Sequence, residues 1–143
     1  MDRPTLGSIR YMGEEITGYG NDKLAVFRRD NCGFVFQQNY LNDTMSVMDN
    51  IMVSGLLKSR EKKAISQKAK ELLFQVGLDD LSFRKFPSQL SGGEAQRVAI
   101  VRALINNPKV LFADVKWSMV LIVYCVYSVQ KKRKKGTLYT IRA

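Results

Sequence analysis

Ser91, Gly92, Gly93 and Glu94 are the residues of this chain whose types and spacing are best suited to chemistry. Serine is a good helix N-cap. A glutamate three residues later gives the spacing at which the two side chains each satisfy one orphan backbone amide. A helix is therefore expected to start near Gly92. The two glycines place no side chain over the first-turn amides, and uncovered amides at the positive end of a helix dipole attract anions. The chemistry on offer is recognition of an oxyanion such as a nucleotide γ-phosphate. Four residues alone describe any well-capped surface helix, so their surroundings decide.

Those surroundings supply a positioning frame. Gln96 and Arg97 follow, then an apolar stripe of Val98, Val101, Leu104 and Ile105, and a stop at Asn106, Asn107 and Pro108. Val110, Leu111, Phe112 and Ala113 then read as a buried strand that ends in Asp114. Upstream, residues 33–36 form a second apolar strand, ended by Gln37. Between them, residues 46–57 read as a helix capped by Ser46, with Asp49 at the capping-box position and Val47, Ile51, Leu56 and Leu57 as apolar contacts. Residues 61–77 give another helix. Ile65, Ala69, Leu72, Leu73 and Val76 share one face, lysines cover the opposite, solvated face, and Gly77 is placed to cap the end.

Residues 90–114, LSGGEAQRVAIVRALINNPKVLFAD, resemble the ATP-binding subunit of ABC transporters. In that family LSGGE followed by Gln-Arg is the signature motif, and four apolar residues before an aspartate form the Walker B strand. Residues 33–41, GFVFQQNYL, resemble its Q-loop, and Pro87, Ser88 and Gln89 match its short approach to the signature. The resemblance implies an α/β fold: a partial P-loop NTPase-type nucleotide-binding domain with a helical subdomain. It implies ATP and Mg²⁺ as cofactors. It also implies a head-to-tail dimer in which Ser91, Gly92, Gly93 and Glu94 serve the nucleotide held by a second nucleotide-binding subunit. Gln37 would contact the Mg²⁺ site and sense a transmembrane permease, whose cytoplasmic coupling helices meet the helical subdomain. Asp114 would be associated with Mg²⁺ through water. No specific nucleic acid is implied. The expected location is cytoplasmic, peripheral at the inner face of the cell membrane, and the general similarity is to subunits serving lipoprotein release, macrolide export or peptide export.

Departures from the family pattern are equally visible. No stretch fits G-x-x-x-x-G-K-[ST], the phosphate loop known as Walker A. Residues 1–15 resemble the segment after the Walker A helix, where an Asp-x-Pro-Thr-x-Gly turn leads into a short strand; Met1 is thus expected to begin inside the family's domain, beyond the adenine-stacking aromatic. Where active members follow the Walker B aspartate with a catalytic glutamate, this chain has Val115, then Lys116 and Trp117. It holds no histidine for the family's γ-phosphate switch. No residue is assigned a catalytic role, and the expectation is a fragment inactive alone, with a half-site contribution as its residual function.

At 143 residues the chain is long enough for one small domain. The family match is expected to occupy residues 1–115. Residues 116–143 form an unmatched hydrophobic and basic tail that holds 7 of the 23 basic residues and none of the 13 acidic ones. A frameshift or premature fusion near codon 115 is the expected origin. As a helix, residues 117–129 would reach about 20 Å, short of a bilayer core of about 30 Å. Their β-branched residues favour a strand, which if uncovered would invite aggregation. The basic run 131–135 gives the alternative function: a non-enzymatic decayed product that binds anionic surfaces. Chromosome-maintenance and DNA-repair ATPases share the signature, yet the interval from Gln37 to Ser91 has no room for their coiled coils. Cys32 and Cys125 lack metal-ligand spacing and read as buried thiols in a reducing compartment. The polar N-terminus does not read as a signal peptide. A sheet without its central neighbours is expected to be less native-like than the helical portion.

Overall fold

The computed structural model describes residues 7–114; the Asp2, Pro4 and Thr5 turn, Val115, Cys125 and the whole tail lie outside them. The described chain opens with a two-stranded antiparallel hairpin, β1 (Arg10–Tyr11) and β2 (Glu14–Glu15), with Tyr11 opposite Glu14. Its two-residue turn is left-handed at both Met12 (φ 49°) and Gly13 (φ 88°), the twist that hairpins favour. Helix α1 (Asn21–Asn31) follows, and its Phe27 meets the Tyr11 ring edge-on at 4.9 Å. This helix is absent from the sequence reading. None of its residues is fully buried, and its apolar Leu24, Val26 and Phe27 form one short cluster rather than a stripe along the helix.

β3 (Cys32–Val35) begins where α1 ends, and it pairs in parallel with β4 (Val110–Ala113) in the register Cys32 to Val110 and Val35 to Ala113. Parallel neighbours need a crossover, and here it is built from α2 (Val47–Leu56), α3 (Lys62–Gln75), two 3-10 turns (Asp80–Arg84 and Pro87–Gln89) and α4 (Gly92–Leu104). The three helices pack on one another and α4 lies against β3. Their shared core holds Val35, Ile51, Leu73, Ile100, Leu104 and Leu111, all fully buried.

Two glycines allow the closest approaches. A Cβ on Gly33 would stand 2.7 Å from the Ala103 carbonyl oxygen, and one on Gly55 would stand 2.4 Å from Ile65 Cγ2. Gly77 ends α3 in the left-handed region (φ 77°), as its place in the sequence predicts. The expected inward face of α3 is buried throughout.

Two expectations are corrected. Leu56 and Leu57 are 37% and 63% exposed, not core contacts. Val47, Ile51 and Gly55 recur every four residues and take the inward face, so Leu56 and Leu57 fall one and two residues beyond it. Nor is every lysine of α3 solvated: Lys68 Nζ donates to the Ile105 carbonyl and, at 2.8 Å, to Asn107 Oδ1. Lys58 does the same for Asn106 (3.3 Å) and for Asp30 of α1 (3.1 Å). The two ammonium groups satisfy carbonyls just past the C-terminal end of α4, where the helix dipole favours positive charge.

Candidate functional site

The N-terminus of α4 has the geometry its sequence implies. The Ser91 backbone is extended, its hydroxyl accepts from the Glu94 amide at 3.3 Å, and its own amide donates to Glu94 Oε2 at 2.8 Å. The bond from the Ser91 amide holds the Glu94 carboxyl below its usual range, and Lys85, 3.9 Å from Oε1, acts in the same direction. The amides of Gly92 and Gly93 make no hydrogen bond among the described residues. A Cβ on Gly92 would meet nothing within 4 Å, so packing inside the described chain does not require a glycine there.

Gln37 and Asp114 lie at a different place. The Asp114 amide donates to the Val35 carbonyl at 2.8 Å, which continues the parallel ladder by one residue. Gln37 stands two residues beyond Val35, so both polar residues leave the same edge of the strand pair, and both are exposed. Beneath them Phe34 stacks on Phe112 at 5.1 Å and on Phe36 at 6.2 Å. The half-buried Cys32 thiol on β3 is pushed up by desolvation, which makes it a poor nucleophile.

The loop after Gln37 is held at the C-terminal end of α4. Arg102 donates to the carbonyls of Asn39 (2.7 Å) and Tyr40 (2.5 Å). Ser91 sits about 16 Å along the axis from Arg102 at about 1.5 Å per residue. The structure thus brings Gln37 and Asp114 to one edge and keeps Ser91, Gly92, Gly93 and Glu94 at the far end of a helix.

Two contributors are missing from the sequence reading. Asn50 is buried and fully bonded: its Nδ2 donates to the carbonyls of Asn42, Met45 and Ser46, and its Oδ1 accepts from the Asn42 amide at 2.8 Å. It ties the segment after Gln37 to α2. Arg102 is the other. A buried asparagine early in a helix and an arginine in a last turn are ordinary in sequence, and their partners give no local signal. Among the described residues no group of three or more His, Cys, Asp or Glu is placed to hold a metal, and no helix is long and apolar enough to cross a membrane.

A parallel strand pair crossed over by helices, with a glycine-opened helix leading to a strand that ends in aspartate, defines part of an α/β P-loop NTPase-type domain. A family model described as ABC transporter matches residues 1–115, and the chain belongs to that family. An uncharacterized ABC transporter ATP-binding protein of Methanocaldococcus jannaschii, MJ1508, is 44% identical over 114 residues, covering 80% of this chain and 50% of that one. The lipoprotein-releasing system ATP-binding protein LolD of Geobacter metallireducens has the same identity and coverage. The macrolide export ATP-binding/permease protein MacB of Azoarcus sp. is 40% identical over 114 residues, 80% of this chain and 17% of its own. The chain spans about half the length of most of the curated relatives it matches. Among solved structures, the dimeric ABC transporter cassette MJ0796 superposes with a TM-score of 0.82 at 28% identity, over 97% of this chain and 63% of that one. The same cassette in a post-hydrolysis state bound to ADP and Pi gives 0.79.

Proposed function

We propose that the chain acts as the ATP-binding subunit of an ABC transporter, with Ser91, Gly92 and Gly93 offering a half-site to nucleotide held by a second subunit. The observation that carries this is the open N-terminus of α4: two glycine amides without a partner among the described residues, and a Gly92 that packing there leaves free. Amides of this kind, at the positive end of a helix dipole, suit a γ-phosphate. Glu94 contributes by holding the turn. The distance along α4 supports a contribution in trans, because one nucleotide cannot easily lie against both of its ends.

Gln37 and Asp114 belong to the chain's own site in this reading. One exposed carboxylate and one amide oxygen at a single edge fit Mg²⁺, which keeps several waters and takes few protein ligands. Asp114 would hold the ion through water, and the ion would neutralise phosphate charge. Residues 1–143 contain no Walker A sequence and no histidine, so the proposal assigns no hydrolytic step to these residues.

The partner on the membrane side is a permease, as the MacB relative, itself an ATP-binding/permease protein, suggests. An open groove of about 600 Å³ between α2, α3 and the Asp80–Arg84 turn is lined by Met48, Leu81 and Phe83, by the basic Lys70 and Arg84, and by the acidic Asp80. Leu81 is 79% exposed there, which suits the apolar face of an amphipathic helix. Docking there would place the chain peripherally at the inner face of the cell membrane. The matched segment 1–115 is the unit that carries these roles, with 116–143 as a separate tail.

The deciding experiment mixes the chain with an intact homologous subunit. ATP occupancy or turnover should change on mixing, and Ser91→Arg, which fills the anion position with a bulky side chain, should abolish the change. No effect of the wild-type chain sinks the half-site reading. The excess of basic residues after residue 115 carries the alternative of nonspecific anionic-surface binding. In that case binding to anionic vesicles falls steeply with added salt and survives Ser91→Arg.

A further inference from the structure

We infer that Arg102 is a positioning residue that fixes the Gln37 loop to the last turn of α4, so that a displacement begun at the signature end of the helix is carried to Gln37. The guanidinium donates in parallel to two successive carbonyls, Asn39 at 2.7 Å and Tyr40 at 2.5 Å. Presenting both to one fork accompanies a left-handed Tyr40 (φ 46°), a conformation uncommon for a non-glycine residue. An arginine in a last helical turn can satisfy the dipole while staying in water. Arg102 is instead half-buried, and desolvation draws its pKa below the ordinary arginine value while leaving it charged.

The other restraints lie at the loop's far end, where Leu41 packs against the core and Asn42 is bonded to Asn50. Among the described residues, no backbone-to-backbone hydrogen bond involves residues 37–41, and Asn39 Oδ1 is buried with no partner. The Phe36 and Tyr40 rings meet edge-on at 5.4 Å. The fork is therefore the polar anchor within residues 38–40, while Asn50 holds the neighbouring Asn42. Because α4 is a continuous helix from Gly92 to Leu104, its two ends move together. A helix that tilts as an anion docks on the Gly92 and Gly93 amides must pull or release the Asn39 and Tyr40 carbonyls. The functional meaning of that pull rests on the ATP-binding reading above; the clamp itself does not.

The test is backbone 15N relaxation of the full chain without nucleotide, comparing wild type, Arg102→Met and Arg102→Lys. The methionine keeps much of the apolar stem and removes every donor. Order parameters in residues 38–40 should fall from about 0.85 to below about 0.6 in Arg102→Met while residues 65–73 of α3 stay unchanged, the mark of local rather than global loosening. Arg102→Lys, with one ammonium for two carbonyls, should fall between. An unchanged loop, or equal loosening in loop and α3, overturns the inference. Should Arg102→Met fail to fold, the lysine variant decides by the same comparison. A second arm adds ATP and an unlabelled intact homologous subunit. Wild type should show shifted amide resonances at 91–94 and 37–41 together, and Arg102→Met at 91–94 alone; joint shifts in the variant refute the relay. If wild type shows none at 91–94, the half-site reading fails and the nucleotide-free arm still decides the clamp.

Discussion

Ser91 and Glu94 hold a helix start and, on the proposed function, also shape an anion site. Ser91→Ala removes the acceptor for the Glu94 amide, and loss of such a cap costs about 1 kcal/mol. For a domain of this size that lowers Tm by roughly 4–8 °C, measurable by thermal circular dichroism. The Glu94 carboxyl also makes this cap pH-dependent. Its folded pKa is depressed, chiefly by the bond from the Ser91 amide. Its contribution is therefore full above the ordinary glutamate value of about 4.3 and is lost as pH falls through the lower folded value. Glu94→Gln should flatten the acid limb of a stability-against-pH curve, and an unchanged limb would remove Glu94 from the account. The capping box was legible in sequence because its partners lie three residues apart. Arg102 and Asn50 were not, since their carbonyl partners are set by how a loop returns to a helix.

At the scale of elements, α2, α3 and α4 were legible from apolar spacing, and β3 and β4 from short apolar runs that end in Gln37 and Asp114. Helix α1 was not, because its apolar Leu24, Val26 and Phe27 make one short cluster that does not repeat along the helix. The tight contacts were also hidden, since glycine in a strand or helix interior reads only as a weak former. Gly33→Ala pushes a methyl to 2.7 Å from a backbone oxygen of α4, which cannot rotate away. Gly55→Ala meets a side-chain methyl of Ile65 at 2.4 Å, and a side chain has more freedom to yield. Both should destabilise by about 1–3 kcal/mol, with Gly33→Ala the worse. Urea melts at unchanged m-value check the order. Equal stabilities would mean that β3 and α4 separate more readily than their contact suggests.

At the scale of the whole molecule, the proposed function makes the groove beside Leu81 the docking surface for a membrane partner. Leu81→Glu should leave Tm nearly unchanged, because the side chain is 79% exposed, yet weaken co-purification with a cognate permease. A retained complex would move the docking surface elsewhere. The pairing of β3 with β4 has a further result for how the protein comes into being. Val35 leaves the ribosome long before its neighbour Ala113, and everything from Phe36 to Lys109 must be synthesised in between. At about 5–20 residues per second that is a wait of several seconds, during which β3 has no partner strand in the described fold. Nascent β3 is thus exposed to mispairing, and conditions that slow translation should lengthen its dependence on chaperones.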